Sequence, residues 1–267
     1  MSGFSAHWLA LREPADHAAR SAALTQLIAD AIGSDPQPLI LDLAAGTGSN
    51  RRYLTAYFPG ARWLLVDRDP ALLARVDEAP RVETRVGDLA RLDEEPAMVT
   101  GAALVTASAL LDLVSEVWLK TLAALCAAEG AAMLFALSYD GRIVCTPEDA
   151  DDGEIVALVN EHQRTDKGFG PALGPEAMDV AERCFSEPGF HVQRAPSDWV
   201  LAPGAAELQR QLIDGWAQAA SEIAPERARL IDRWRERRFA HVAAGWSEII
   251  VGHEDLIGIY GSRNLRS

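Results

Sequence analysis

Three carboxylates, Asp42, Asp67 and Asp88, each close an apolar run in the first third of the chain, with 25 residues separating the first two. The first opens the stretch Asp42-Leu-Ala44-Ala-Gly46-Thr-Gly48, and the third stands in Gly87-Asp88-Leu89. Glycines let backbone approach a bound molecule more closely than any side chain permits, and a helix starting just after them offers unpaired N–H groups. A carboxylate ending a second strand can accept both hydroxyls of a ribose. A carboxylate after a third strand can accept the amino group of an adenine. The glycine pattern continues as Gly46-x-Gly48-x-x-Arg51, without the third glycine of the dinucleotide fingerprint. Its absence argues against NAD or FAD, whose pyrophosphate wants close helix packing. A nucleoside carrying an amino-acid tail would be satisfied by the same turn.

Strands and helices must alternate to bring these groups together. Leu39–Leu43, Ala61–Val66, Val82–Val86, Ala102–Ala107 and Ala131–Leu137 read as strands. Helices are expected over Arg51–Phe58, Ala71–Val76 (opened by Pro70) and Ser115–Ala128 (closed by Gly130). This alternation implies a parallel, doubly wound sheet with its ligand at the carboxyl ends of the strands. Upstream, residues 4–32 read as helix, ended by Gly33. Arg12, Asp16 and Arg20 recur there at four-residue spacing. They form either a solvated stripe or a face closing over the ligand, with Arg12 or Arg20 meeting a carboxylate.

Beyond Asp140 the character changes. Residues 140–176 look loop-rich and 204–243 helical, with a break at Ala224-Pro225. A helix is expected over Pro175–Cys184 and a strand over Phe190–Arg194. Trp246–Val251 and Asp255–Tyr260, parted by Gly252-His253-Glu254, suggest a final antiparallel hairpin or strand.

The chain of 267 residues is 49% hydrophobic, enough for a large core, and carries a formal charge of −14. That charge disfavours nucleic acid and anionic membranes as partners. Cys126, Cys145 and Cys184 are isolated, which suggests neither a disulfide framework nor a thiolate zinc site. No apolar run is long enough to span a bilayer, and the N-terminus lacks a signal-peptide pattern. A cytoplasmic protein, monomer or homodimer, is the default expectation.

The stretch LDLAAGTGSN resembles the glycine-rich first motif of the class I S-adenosylmethionine-dependent methyltransferases. Ala44 stands where the motif's first glycine usually is. VDRD at 66–69 resembles the second motif, VGDL at 86–89 the third, and TASALLDLVS at 106–115 the segment after the fourth strand. The similarity covers residues 38–140. It implies an α/β fold: a doubly wound, mostly parallel, seven-stranded Rossmann-like sheet with helical N-terminal and inserted lid elements. It also implies S-adenosyl-L-methionine as cofactor. Ala44, Gly46 and Gly48 would then line the methionyl part, Asp67 and Arg68 the ribose side, and Asp88 and Leu89 the adenine. Ser108 would border the methyl group, and Asp42 would fix the glycine turn or reach the ligand's amino group.

The domain reading follows: a single domain over 1–267, with a helical cap at 1–35, a cofactor core at 38–140, lid insertions at 140–176 and 204–243, and a final β segment at 246–260. The expected activity is methyl transfer to a small-molecule acceptor. Cyclisation or elimination on the same cofactor, or cofactor binding without turnover, are the alternatives. The cofactor supplies the activated methyl group, so the protein must chiefly orient the acceptor and exclude water. A base is needed only for a protonated acceptor. His162, Tyr139 and Asp112 are the candidates, His162 by its intrinsic pKa. Lys167-Gly168-Phe169-Gly170-Pro171 reads as either a closing loop or a plain connection. The acidic run at 148–154 lacks calcium-loop spacing and reads as solvated loop; no metal is expected. The arginines between 227 and 238 read as a self-paired surface helix. Trp199, Trp216, Trp234 and Trp246 read mostly as core, with an acceptor pocket as the other possibility.

Overall fold

The computed structural model describes residues 5–33 and 35–261. The chain order is α1 (Ala6–Ala19), α2 (Ala22–Ile32), β1 (Leu39–Leu43), α3 (Ser49–Leu54), β2 (Arg62–Asp67), α4 (Pro70–Leu73), β3 (Val82–Val86), β4 (Leu104–Ser108), α5 (Glu116–Glu129), β5 (Ala132–Thr146), α6 (Asp152–Gln163), α7 (Ala177–Ser186), β6 (Phe190–Pro196), β7 (Trp199–Leu201), α8 (Ala206–Ile223), α9 (Ala228–Ala243) and β8 (Glu248–Tyr260). The sheet runs β3-β2-β1-β4-β5-β8-β6, with the short β7 also paired to β8, making eight strands. Strands β1 to β5 are parallel; β8 is antiparallel to β5. The strand order reverses between β1 and β4, where α/β sheets open a crevice at their carboxyl edge.

Both faces of the parallel sheet are covered. On one, Leu41, Val105 and Phe135 pack with Leu119 and Leu122 of α5 and Phe185 of α7. On the other, Ile40, Leu65 and Leu134 pack with Ile28 of α2 and Leu54 of α3. This explains why β1 reads as an unbroken apolar run. A third core lies beyond the carboxyl edge. There β5, β7 and β8 carry Ile155 of α6, Ile213 and Trp216 of α8, and Ile231 and Trp234 of α9. Strands β5 and β8 are long enough to serve both levels.

Several expectations change. The helix expected over 4–32 is two helices: the chain leaves α1 at Arg20, and the Ser21 hydroxyl caps α2 through the Leu24 N–H at 3.3 Å. Position 4 lies outside the described residues. The insertion at 140–176 is not mainly loop. Its first residues extend β5, and Asp152–Gln163 form α6, so Asn160, Glu161, His162 and Gln163 stand on a helix. Of the two forms open to the last segment, hairpin or strand, the structure takes the strand, β8. At Gly252, which parts its two apolar runs, a Cβ would collide with the Asp140 carboxylate, so glycine serves close packing within a strand.

The acidic run is not solvated loop, and the arginines of α9 do not pair among themselves; the two segments dock on each other. Asp149 accepts from Arg237 Nε at 2.5 Å, and Asp151 from Arg237 Nη2 at 2.6 Å. The Arg237 guanidinium holds the Asp149 carboxyl down to about 2. Arg238, fully buried, pairs with Asp152, which also accepts from Trp234 Nε1 at 2.8 Å. Arg227 and Arg235 likewise reach other elements, at Glu154 and Asp214. Trp246, read with the core tryptophans, is 69% exposed. No helix among the described residues is long and apolar enough to cross a membrane.

Candidate active site

The glycine turn follows β1 directly. Ala44 and Gly46 take left-handed φ values of 53° and 54°, and Gly48, at φ 81°, is the residue before α3. Glycine at 48 suits that conformation, and a Cβ would meet Leu65 and Val76; it stands behind the turn rather than on the cavity. Ala44 holds the same region at some steric cost. Asp67 fixes the turn: its Oδ2 accepts the Gly46 N–H at 2.8 Å and its Oδ1 the Asp69 N–H at 2.9 Å. Asp42 is fully buried. Its Oδ1 accepts from Asn50 Nδ2 at 2.8 Å, while its Oδ2 has no partner.

A cavity of about 520 Å³ opens at this carboxyl edge. Asp42, Ala44, Gly46 and Asp67 form its floor, and Arg68, Asp88, Leu89 and Ser108 its sides. Asp88 is exposed, and its Oδ1 caps the turn after β3 through the Ala90 N–H at 3.1 Å. Leu9 and Arg12 of α1, with Lys167, Gly168 and Phe169, complete the wall from above. The Lys167–Phe169 stretch therefore borders the cavity rather than merely linking elements. A second cavity, of about 930 Å³, adjoins the first and shares Arg12, Arg68, Ala109, Leu113 and Lys167 with it. Asp112, Tyr139 and His162 line this second space.

The three catalytic candidates are thus brought together, in different states. His162 Nε2 lies 3.0 Å from Glu222 and its Nδ1 3.3 Å from Lys167 Nζ, so both ring nitrogens are engaged. The Tyr139 hydroxyl donates to Asn160 Oδ1 at 2.7 Å, and burial pushes its pKa upward. Asp112 is buried with Oδ1 unpartnered, and burial pushes its carboxyl up to about 6 against the favourable fields of Arg12 and Lys167.

The stripe on α1 is not solvated. Arg12 forms a two-pronged pair with Asp16, at 2.9 Å from Nε and 3.0 Å from Nη2, and both side chains are 11% exposed. Asp16 also accepts from Trp199 Nε1 at 3.1 Å, and Arg12 lies 4.9 Å over that ring. Arg20 is buried, donates to Asn50 Oδ1 at 2.8 Å, and faces Asp255 at 3.5 Å. Arg20 therefore meets a carboxylate of the protein itself. Through Asn50 it also braces Asp42.

Sequence reasoning missed Asn50, which joins Arg20, Asp42 and Thr106 under the turn. It also missed His253, which lies between the rings of Tyr139 and Trp199, with centroids at 6.3 and 5.1 Å, on the second cavity. The signal for His253 was a glycine inside an apolar run, at Gly252.

Burial pushes the Asp42 carboxyl up to about 7, with the Asn50 hydrogen bond and the Arg20 charge opposing and Asp67 adding to the rise. A folded-state pKa above the ordinary 3.8 means the folded chain keeps a proton that the unfolded chain has released. Stability from this group is therefore lost as pH rises from about 4 to about 7, and is constant above that. Asp42→Asn should flatten the ligand-free melting temperature against pH across that window. Asp112 adds a slope of the same sign below about 6, which should persist in the variant. A wild-type slope in Asp42→Asn would remove Asp42 as the titrating group.

No protein-family model matches the chain, and no curated protein matches it by sequence. Two solved structures match over 96% of this chain and 94% of their own, each at 13% identity. They are the cyclopropane synthase MmaA2 from Mycobacterium tuberculosis, with a TM-score of 0.52, and a cyclopropane-fatty-acyl-phospholipid synthase-like protein from Lactobacillus casei, with a TM-score of 0.55. At this identity the likeness shows the fold. That fold is the α/β arrangement, with a mostly parallel sheet and helices on both faces, that the alternation of strands and helices led one to expect.

Proposed function

We propose that the chain binds S-adenosylmethionine in the smaller cavity and directs its methyl group to a small molecule held in the larger one. The observation that carries this reading is the floor of the smaller cavity, where Asp42 and Asp67 flank a left-handed glycine turn and Asp88 stands at the side. The residues fit the ligand. The unpartnered Asp42 Oδ2 suits an ammonium group, and the Gly46 backbone allows close approach of the methionyl part. Asp67 suits the ribose hydroxyls. Leu72 and Leu89 supply apolar flanks for an adenine whose amino group would meet Asp88, with Arg68 at the rim. Ser108 and Ala109 lie on the side toward the second cavity, where the methyl group would be directed.

The bound cofactor supplies a methyl group already activated on a sulfonium. What remains to the chain is to orient an acceptor across the shared mouth, exclude water, and receive a proton if the acceptor carries one. α6, α8 and the stretch 164–170 would cover the acceptor. Of the three candidate bases, Asp112 is the one with a free oxygen; His162 and Tyr139 are occupied by Glu222 and Asn160. The cyclopropane synthases that share the fold motivate a second reading, in which the acceptor is an alkene carbon.

Calorimetric titration with S-adenosylmethionine and S-adenosylhomocysteine tests the cofactor. Micromolar or tighter binding of both is expected, and no heat from either would overturn the assignment. Mass spectrometry after incubation with cofactor and an acceptor panel then separates methyl transfer from cyclisation or elimination.

A further inference from the structure

The sheet ends on β3, which pairs with β2 alone, and its outer edge is bare among the described residues. The link from β3 to β4 holds only short turns of 3-10 helix, at Leu89–Arg91 and Pro96–Val99, and Glu83, Thr84, Arg85 and Val86 are all exposed. Val86 is 59% exposed, a large apolar side chain on an open edge. The other end of the sheet is finished differently. On β6, Arg194 is tied to Asp179, Glu182 and Glu254, and the strand closes on Pro196, which has no N–H to offer.

Backbone geometry decides which groups β3 has free. The Arg81 C=O accepts from the Trp63 N–H at 2.7 Å, and the Gly87 N–H donates to the Asp67 C=O at 3.0 Å, so odd-numbered positions face β2. Directions alternate along a strand, so Glu83 and Arg85 also face β2, while Val82, Thr84 and Val86 turn their backbone groups outward. The Val82 N–H bends back to the Ala79 C=O at 3.3 Å. The same alternation leaves the Thr84 and Val86 N–H groups without a partner among the described residues.

The five residues read Val82-Glu83-Thr84-Arg85-Val86, and that order is self-complementary. When a second copy is laid antiparallel, with a two-fold axis at Thr84, threonine meets threonine and valine meets valine. Each Glu83 then meets Arg85 of the partner subunit. The outward-facing pairs become the hydrogen-bonded ones, and the N–H groups of Thr84 and Val86 each gain a carbonyl. Glu83 and Arg85 fall at the non-hydrogen-bonded pairs, where Cα atoms approach to about 4.5 Å and side chains sit closest. Within one chain these two lie 4.0 Å apart, with side chains 71% and 44% exposed, so both are free to turn toward a facing strand. Charges on an edge strand normally block pairing between copies, because like charges meet. Here the two-fold axis brings opposite charges together, and the strand is neutral in a chain of −14.

We infer that β3 is a homodimerisation edge, on which a second copy of this chain pairs antiparallel about Thr84 and joins two sheets into one. The pairing is independent of the methyl-transfer reading. The contact is five residues long on each side, so the dimer is weak and dissociates on dilution.

Sedimentation velocity on the full chain, from about 1 to about 200 μM, should show monomer giving way to dimer as concentration rises. Glu83→Arg sets arginine against arginine and should weaken the dimer at least tenfold, as should Arg85→Glu, which sets glutamate against glutamate. The double variant Glu83→Arg/Arg85→Glu restores opposite charges and should recover the dimer to within threefold of wild type. Thr84→Pro removes an outward N–H and spares the β2 ladder, so it should abolish the dimer while low-concentration melting stays close to wild type. Amide exchange reads the strand itself. The Thr84 and Val86 amides should gain protection with concentration, while those of Glu83 and Arg85 stay protected throughout. A monomer at every concentration would overturn the inference, and so would a dimer that survives both Glu83→Arg and Thr84→Pro. Protection at Thr84 that does not vary with concentration would overturn it as well, because the chain itself would then cover the edge.

Discussion

Replacing Asp67 with alanine should weaken S-adenosylmethionine binding by more than tenfold. The carboxylate is 9% exposed and works in two directions. Its oxygens already accept the Gly46 and Asp69 N–H groups, at 2.8 and 2.9 Å, which sets the position of the turn. Each oxygen keeps a further lone pair for a ribose hydroxyl. A hydrogen bond to a charged group contributes about 1.5–3 kcal/mol, so losing one ribose contact alone corresponds to roughly ten- to a hundredfold. Loss of the two backbone anchors loosens the floor as well. Asp67→Asn is expected to fare little better, because its NH₂ group must face the N–H of either Gly46 or Asp69. Calorimetry on both variants checks this, and wild-type affinity in Asp67→Ala would remove Asp67 from the site.

The second large effect concerns stability. Asp255 is completely buried on β8 and joins that strand to two other segments. Its Oδ2 accepts from the Ser21 N–H at 2.8 Å, where α1 gives way to α2. Its Oδ1 accepts from the Leu137 N–H at 2.9 Å, where β5 takes a left-handed φ of 55°. Arg20, with a side chain 1% exposed, lies 3.5 Å away and has two nitrogens without hydrogen-bond partners. Asp255→Ala would leave that guanidinium buried without its counter-charge and two backbone N–H groups unmet. Breaking a buried pair from one side costs about 3–5 kcal/mol, a large fraction of the roughly 5–15 kcal/mol that holds a domain folded. Chemical denaturation should register that loss at neutral pH. A change below about 1 kcal/mol would mean the segments are held by packing alone.

What could be read from the sequence was local. The first five strands were legible because each is an apolar run bounded by glycine, proline or an acid, and the parallel order followed from the helices between them. Asp42, Asp67 and Asp88 were legible because they sit at strand ends, and all three border one cavity. Pairing between distant segments was not legible. Asp149 and Arg237 are 88 positions apart, so each run looked like a surface feature until folding set them together. The same applies to Arg20 and Asp255, which turn an apparently solvated stripe into a buried brace. Gly252-His253-Glu254 left hairpin and strand both open because glycine has two uses, bending a chain and admitting a neighbour, and sequence does not distinguish them. That ambiguity hid His253.

Strands β5 and β8 carry a mechanical consequence. They run from the parallel sheet into the layer that bears α6, α8 and α9, paired from Met133↔Gly258 to Thr146↔Glu248 with register shifts between Phe135 and Ser138 and between Tyr139 and Ile143. Two hydrogen-bonded beams thus cross the level at which the cavities lie. The cover is tied to the sheet by the regularly paired stretches on either side of those shifts, Met133–Phe135 below and Ile143–Thr146 above. Under the methyl-transfer reading, spent ligand would exchange for fresh where the wall is tied least. The stretch between α6 and Leu173, with Gly168 and Gly170 at φ values of 102° and 83°, is a part of the wall outside that ladder. Turnover would then be paced by the looseness of a few residues while the frame around them stays still.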